Sequence, residues 1–172
     1  AYRVWSEAPD GTKVPVSIVH RADLDRTKPN PTLLYGYGSY EANMDPYFSV
    51  FRLSLMDRGM IFAMAHVRGG GEMGRTWYDD GKMLSKKNTF TDFIAVADDL
   101  IARRVTTPET LVAEGGSAGG LLMGAVANMA PDRFKAIQAN VPFVDPLTSI
   151  LMPELPLTVV ESVSYTHLRA HE

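Results

Sequence analysis

Residues 114–129, EGGSAGGLLMGAVANM, set one serine between two pairs of glycines and run directly into an apolar stretch. Gly115-Gly116-Ser117-Ala118-Gly119 fits the G-x-S-x-G pattern, in which a sharp strand-to-helix turn lifts a serine hydroxyl clear so that it can attack a carbonyl. Backbone segments must approach closely around such a turn, a need that Gly116 and Gly119 meet. A plain flexible turn is the alternative, but two glycines opening a helix cost about 1 kcal/mol each relative to alanine, with no structural return. Acyl transfer also needs donors aimed at the developing oxyanion. The amide of Ala118 supplies one, and a second must come from the loop after an earlier strand, here YGYGSYE. Tyr37 in that loop stands at the carboxyl end of the strand, where ligands of open α/β sheets bind. By its residue type alone it reads equally well as a packed aromatic.

Other chemistry-bearing residues group less well. Gly69, Gly71 and Gly74 in RGGGEMG satisfy G-x-G-x-x-G after a strand. The following RTWYDDGK is polar and broken by Gly81, so a tight structural loop is expected there rather than a dinucleotide turn. His20 and His66 are single histidines in strand-like segments, expected to be packed or exposed without a catalytic role. His167 and His171 have metal-like spacing, yet no further ligands converge with them. Asp145 comes one strand too early for the usual Ser, acid, His order and reads as a loop cap. The lysines of GKMLSKKN, residues 81–88, read as a solvated loop rather than a phosphate patch.

The elements that must position Ser117 follow from periodicity. YRVWSEAPDGTKVPVSIVHR reads as two strands around a tight Asp10-Gly11 turn. TLLYGYG (32–38) and MIFAMAHV (60–67) read as strands buried on both faces. Between them PYFSVFRLSLMDRG reads as a helix with Phe48, Phe51 and Leu55 on one side and Gly59 as its stop. From Thr89, the spacing of Phe90, Phe93, Ile94, Ala97, Leu100 and Ile101 predicts a helix, with Thr89 and Asp92 as a capping box and Arg103 and Arg104 at the favourable end of the dipole. Strand TLVAEG, helix GGLLMGAVANM ended by Pro131, and strand FKAIQANV complete a parallel-sheet rhythm.

At 172 residues, with 22% charged and 45% hydrophobic residues and a net charge of −3, the chain has the make-up of one globular unit with a core. Nothing in it suggests nucleic acid, and no apolar run reaches the 18 to 20 residues, roughly, that a membrane span needs. There is no cysteine, which excludes disulfides and thiolate metal sites. No leader pattern opens the chain, which begins at Ala1, and a cytoplasmic location is the expectation.

The segments LLYGYGSYE, SLMDRGMIFAMAHVRGGGEMGRTWYDDGK, KKNTFTDFIAVADDLI, GGSAGGLLMGAVANMAPDRFKA and VPFVDPLTSILMPELPLTVVE together closely resemble the oligopeptidase B branch of the prolyl oligopeptidase family of serine peptidases. The resemblance covers nearly all of residues 1–161. It implies a partial α/β-hydrolase fold, a mostly parallel sheet flanked by helices, lacking its C-terminal strands and helices. It further implies a β-propeller in the intact chain that screens out large substrates. By the same resemblance Ser117 is the nucleophile, Ala118 the oxyanion-hole amide and Tyr37 a hydroxyl donor to the oxyanion. Alanine after the serine points to the branch that cuts short peptides after Arg or Lys, and no cofactor is implied. That branch uses an E-x-E pair after PLT. Glu161 matches the first acid, whereas position 163 is Val, so a weaker, less fixed pocket for the basic side chain is expected. Asp45 is a candidate for a basic neighbour on the substrate, against the plainer reading of an exposed loop acid.

The family's triad acid and histidine come later than residue 172, so this chain is expected to be inactive as it stands. The final VSYTHLRAHE resembles one translated frame of a transposase adapter used in sequencing libraries. The expectation is therefore a peptidase-domain segment over 1–161 and a non-native tail over 162–172 that includes His167 and His171. Two rivals remain from the residues themselves. An elbow alone does not choose between ester and amide, so an esterase or lipase on the same fold is one. A non-catalytic binding domain is the other.

Overall fold

The computed structural model describes residues 1–45, 47–152, 154 and 155. Among them six strands form one sheet, β1 (Tyr2–Glu7), β2 (Lys13–Val19), β3 (Thr32–Gly36), β4 (Ile61–Ala65), β5 (Leu111–Gly116) and β6 (Ala136–Asn140). Their spatial order is β1-β2-β4-β3-β5-β6. The first two pairings, β1 with β2 and β2 with β4, are antiparallel, while β4, β3, β5 and β6 run parallel. The result is a mixed sheet flanked by helices, the α/β-hydrolase arrangement in part.

The helices are α1 (Val50–Asp57), α2 (Arg75–Asp79), α3 (Lys87–Ala102), α4 (Ala118–Met129) and α5 (Pro146–Leu151). The periodic face expected for α3 is the one it buries, with Phe93, Val96, Ala97 and Leu100 fully enclosed against β2, β3 and α4. Each large side chain so enclosed contributes about 1.5–3 kcal/mol. A Cβ on Gly36 would lie 2.7 Å from the Phe93 ring, so glycine at the end of β3 lets α3 come this close. The opposite face of the sheet packs Leu33, Phe62 and Met64 under Leu55 of α1.

Four local expectations are corrected. The β1–β2 connection is a longer loop in which Ala8 N–H bonds the Thr12 carbonyl and only Gly11 takes a positive φ. The α1 helix is capped by Ser49, so Phe48 precedes it, and Phe48 and Phe51 are 79% and 87% exposed rather than packed beside Leu55. Thr89 and Asp92 form no capping box, because α3 starts at Lys87 and both side chains are buried on other partners. Thr89 Oγ1 donates to the Arg68 and Gly81 carbonyls, and Asp92 accepts three N–H groups from Arg68 at 2.6–3.0 Å. Burial raises the Asp92 carboxyl against the pull of those donors, and Arg68 is held firmly cationic by Asp92 and Asp10. Finally, Lys86 in the supposed solvated loop is buried.

The RGGGEMG segment is a tight loop, as expected, followed by the short α2, whose Trp77 and Tyr78 are buried. A Cβ on Gly69 would sit 2.1 Å from the Gly38 carbonyl oxygen, and one on Gly71 2.4 Å from that of Glu41. Its glycines therefore let it lie directly against the loop that follows β3.

Candidate active site

The elbow begins where β5 ends. Ser117 is exposed at φ 55°, ψ −117°, a backbone conformation that a residue with a Cβ adopts only under strain of roughly 1–3 kcal/mol. The surrounding backbone holds it there. Ser117 N–H donates to the Asn140 carbonyl at 2.9 Å, and its own carbonyl accepts from Gly120 N–H at 2.8 Å and Phe143 N–H at 3.1 Å. Close approach of β5, β3 and the segment after β6 to the start of α4 leaves no room for side chains at three positions. A Cβ on Gly115 would meet the Gly119 carbonyl oxygen at 2.3 Å, one on Gly119 the Gly36 oxygen at 2.7 Å, and one on Gly120 the Pro142 Cα at 2.4 Å. Gly116, which the sequence marks as needed, has open space to 3.5 Å; Gly115 is the glycine that the crossing requires.

Ala118 is the first residue of α4 and buried, so its N–H is among those a helix leaves without an intrahelical partner. Those N–H groups carry the positive end of the helix dipole to the serine, which is the polarity an oxyanion needs. Tyr37 is half-buried and lies against the same turn: its Cα and its ring Cδ2 are both 3.3 Å from the place where a Cβ on Gly119 would be. The structure thus brings Ser117, Ala118 and Tyr37 to one junction between β3 and the start of α4.

It does not bring Asp45 there. That carboxylate is exposed and lines a pocket of about 350 Å³ with Tyr35, Asn43, Met44, Tyr47, Arg52 and Met64, none of which belongs to the serine turn. Glu161, His167 and His171 lie outside the described residues. Asp145 caps α5 by accepting from Thr148 N–H at 3.2 Å, the loop-capping role expected for it.

Neither described histidine faces Ser117's turn through a hydrogen bond. The ring Nδ1 of His20 bonds the Arg21 carbonyl. His66 is buried between Ser17 Oγ, 2.8 Å from Nε2, and Glu72 Oε1, 3.3 Å from Nδ1. Burial works to raise Glu72, but hydrogen bonds from His66 and the Met44 amide outweigh it and hold the carboxyl below its usual value. This serine, histidine and glutamate have the connectivity of a catalytic triad, and no motif announced them. Among the described residues no group of three or more metal-ligating side chains converges.

A family model described as the prolyl oligopeptidase family matches residues 46–169. The chain belongs to this family. It is 56% identical over 160 residues to a dipeptidyl aminopeptidase BI of Pseudoxanthomonas mexicana and 52% identical over 159 residues to a protease 2 of Moraxella lacunata. Each alignment covers 92% of this chain but only 22% and 23% of the relative, so the chain spans under a quarter of their length. Among solved structures it is similar to oligopeptidase B from Leishmania major, with TM-score 0.92 and 55% identity over 95% of this chain and 23% of that one. Oligopeptidase B from Trypanosoma brucei, carrying covalently bound antipain, matches with TM-score 0.92 and 56% identity over the same shares. The family's α/β-hydrolase domain is therefore the fold to which these strands and helices belong.

Proposed function

We propose that the full-length protein is a serine peptidase that hydrolyses short peptides after Arg or Lys through an acyl-enzyme. The observation that carries this reading is the exposed Ser117 at φ 55°, on the head of α4, with the Tyr37 segment packed against the same turn. A histidine takes the Ser117 proton as Oγ attacks the carbonyl carbon. The oxyanion receives the Ala118 N–H and the Tyr37 hydroxyl, the amine leaves with the proton, and water repeats the sequence to free the acid. Its histidine and triad acid come from the part of the family's length that this chain does not span. Glu161 attracts the substrate's guanidinium or ammonium, and Asp45 serves a second basic side chain if one is present. A propeller domain in the intact protein limits substrates to short peptides. The covalent antipain in a relative supports a covalent route, and the reaction requires no cofactor.

Fluorophosphonate labelling of the full-length protein, lost in Ser117→Ala, is the first test. An unlabelled protein would point to the binding-domain rival. Matched arginyl amides and simple acyl esters come second: turnover of the esters alone favours an esterase. Because one relative is a dipeptidyl aminopeptidase, the amides are to be compared with free and blocked amino termini. The 172-residue chain by itself is expected to hydrolyse none of them. Appreciable hydrolysis of an arginyl amide by that chain, abolished by Ser117→Ala, would overturn the expectation.

A further inference from the structure

Behind Tyr37 the chain passes through Gly38 at φ 72°, then Tyr40 and Glu41 at 60° and 59°. Two consecutive non-glycine residues in the left-handed region store strain, and such a loop relaxes unless its surroundings hold it. The surroundings are specific. The loop lies on Gly69, whose carbonyl accepts Glu41 N–H at 3.1 Å, and a Cβ on Gly38 would meet Thr89 Cγ2 at 2.4 Å and Val67 Cγ2 at 2.6 Å. Into this junction comes the side chain of Lys86, the residue just before α3. Its Nζ donates to the Gly38 carbonyl at 2.5 Å and to Ser39 Oγ at 2.8 Å.

Lys86 is a costly way to fasten a loop. Lysine is almost never fully buried unless paired, yet this one has 7% of its surface exposed and makes no ion pair among the described residues. Burial alone depresses its pKa to about 7. A cation just before α3 also opposes that helix's dipole. An apolar side chain would fill the space at lower cost if filling were the task.

We propose that Lys86 is a positioning residue for the oxyanion loop: by gripping the Gly38 carbonyl and the Ser39 hydroxyl it fixes the Tyr37 hydroxyl relative to Ser117. This rests on the reading of Ser117 as nucleophile, and the test separates the two. Fluorophosphonate labelling of the full-length protein, lost in Ser117→Ala, decides the nucleophile; Lys86 is decided by a double-mutant cycle with Tyr37→Phe on an arginyl amide. Lys86→Met is expected to lower kcat on the order of 10- to 100-fold with KM nearly unchanged, because misplacing a catalytic group by about 1 Å has effects of that size. In the Tyr37→Phe background the same substitution should cost almost nothing more. Equal losses in both backgrounds, or a change confined to KM, would overturn the proposal while leaving the nucleophile intact. Should Lys86→Met fail to fold, Ser39→Ala removes one of the two acceptors and carries the same cycle, with a smaller loss of kcat that again vanishes beside Tyr37→Phe.

Discussion

Ser117 and Ser17 divide between them the attributes of a catalytic serine. Ser17, in the middle of β2, has the hydrogen-bond chain: Arg3 donates to its oxygen at 3.2 Å, it reaches His66 Nε2, and His66 reaches Glu72. Yet it is 9% exposed in a regular strand, with no helix N-terminus or strained turn at its side. Ser117 has exposure, strain and the head of α4, while no described histidine bonds to it. A serine–histidine–acid contact pattern is therefore insufficient for acyl transfer. A substrate must reach the oxygen, and donors must stand where negative charge will develop. Around Ser17 the same three residue types pair most of one another's buried polar atoms, as burial requires, although Glu72 Oε2 has no hydrogen-bond partner among the described residues.

The strongest way to break that comparison is to remove each serine from the full-length protein. Ser117→Ala is expected to lower kcat by on the order of 10⁶ and end labelling. Ser17→Ala should leave labelling intact and lower stability by about 1–2 kcal/mol, measured by denaturant unfolding. Labelling that survives in Ser117→Ala and disappears in Ser17→Ala would invert the assignment.

Next in size is Tyr37→Phe, which removes one oxyanion donor without changing the ring. A loss of about 10²–10³ in kcat is expected. Unchanged kcat would return Tyr37 to the role of a packed aromatic.

The buried network has its own signature in pH. Glu72 is depressed in the folded state, so its contribution is fully present above its unfolded value, about 4.3, and is lost as pH falls through the lower folded value. The stability gap between wild type and Glu72→Gln should narrow as pH drops from 7 towards 3. Lys86 acts in the same direction but in a higher window of pH. Its folded value of about 7 lies below the unfolded one near 10.4, so the unfolded chain binds more protons between them and stability rises with pH across that window. Relative to wild type, Lys86→Met should therefore fare better at pH 7 than at pH 10; a flat difference would mean that Lys86 titrates normally.

Legibility in the sequence followed the range of the interactions. The face of α3 through Phe93, Ala97 and Leu100 was readable because helical period is local, and it is the face that is buried. The spacing of Thr89 and Asp92 suits a capping box, but both side chains are claimed by Arg68 and Gly81, 8 to 24 residues away. The motif marks Gly116 while the fold requires Gly115, for the same reason: which of two neighbouring glycines needs to lack a side chain depends on where α4 crosses β5. The stripe through Phe51 predicts a packed residue, yet Phe51 is exposed, because a helical stripe shows only which residues share a face, not whether the chain supplies anything to cover it.

By itself the sequence determined the order of the six strands and of α1, α3 and α4, the apolar face of α3, and the glycine-flanked turn that carries Ser117, since these depend on residue types a few positions apart. Tertiary structure decided the rest: that Tyr37 meets the head of α4, that Lys86 leaves the surface to hold Gly38 and Ser39, and that Ser17, His66 and Glu72 find one another across two strands and a loop. Those pairings join residues 6 to 82 positions apart, and only the register of the sheet and the close approach of its loops bring such groups within hydrogen-bonding or packing distance.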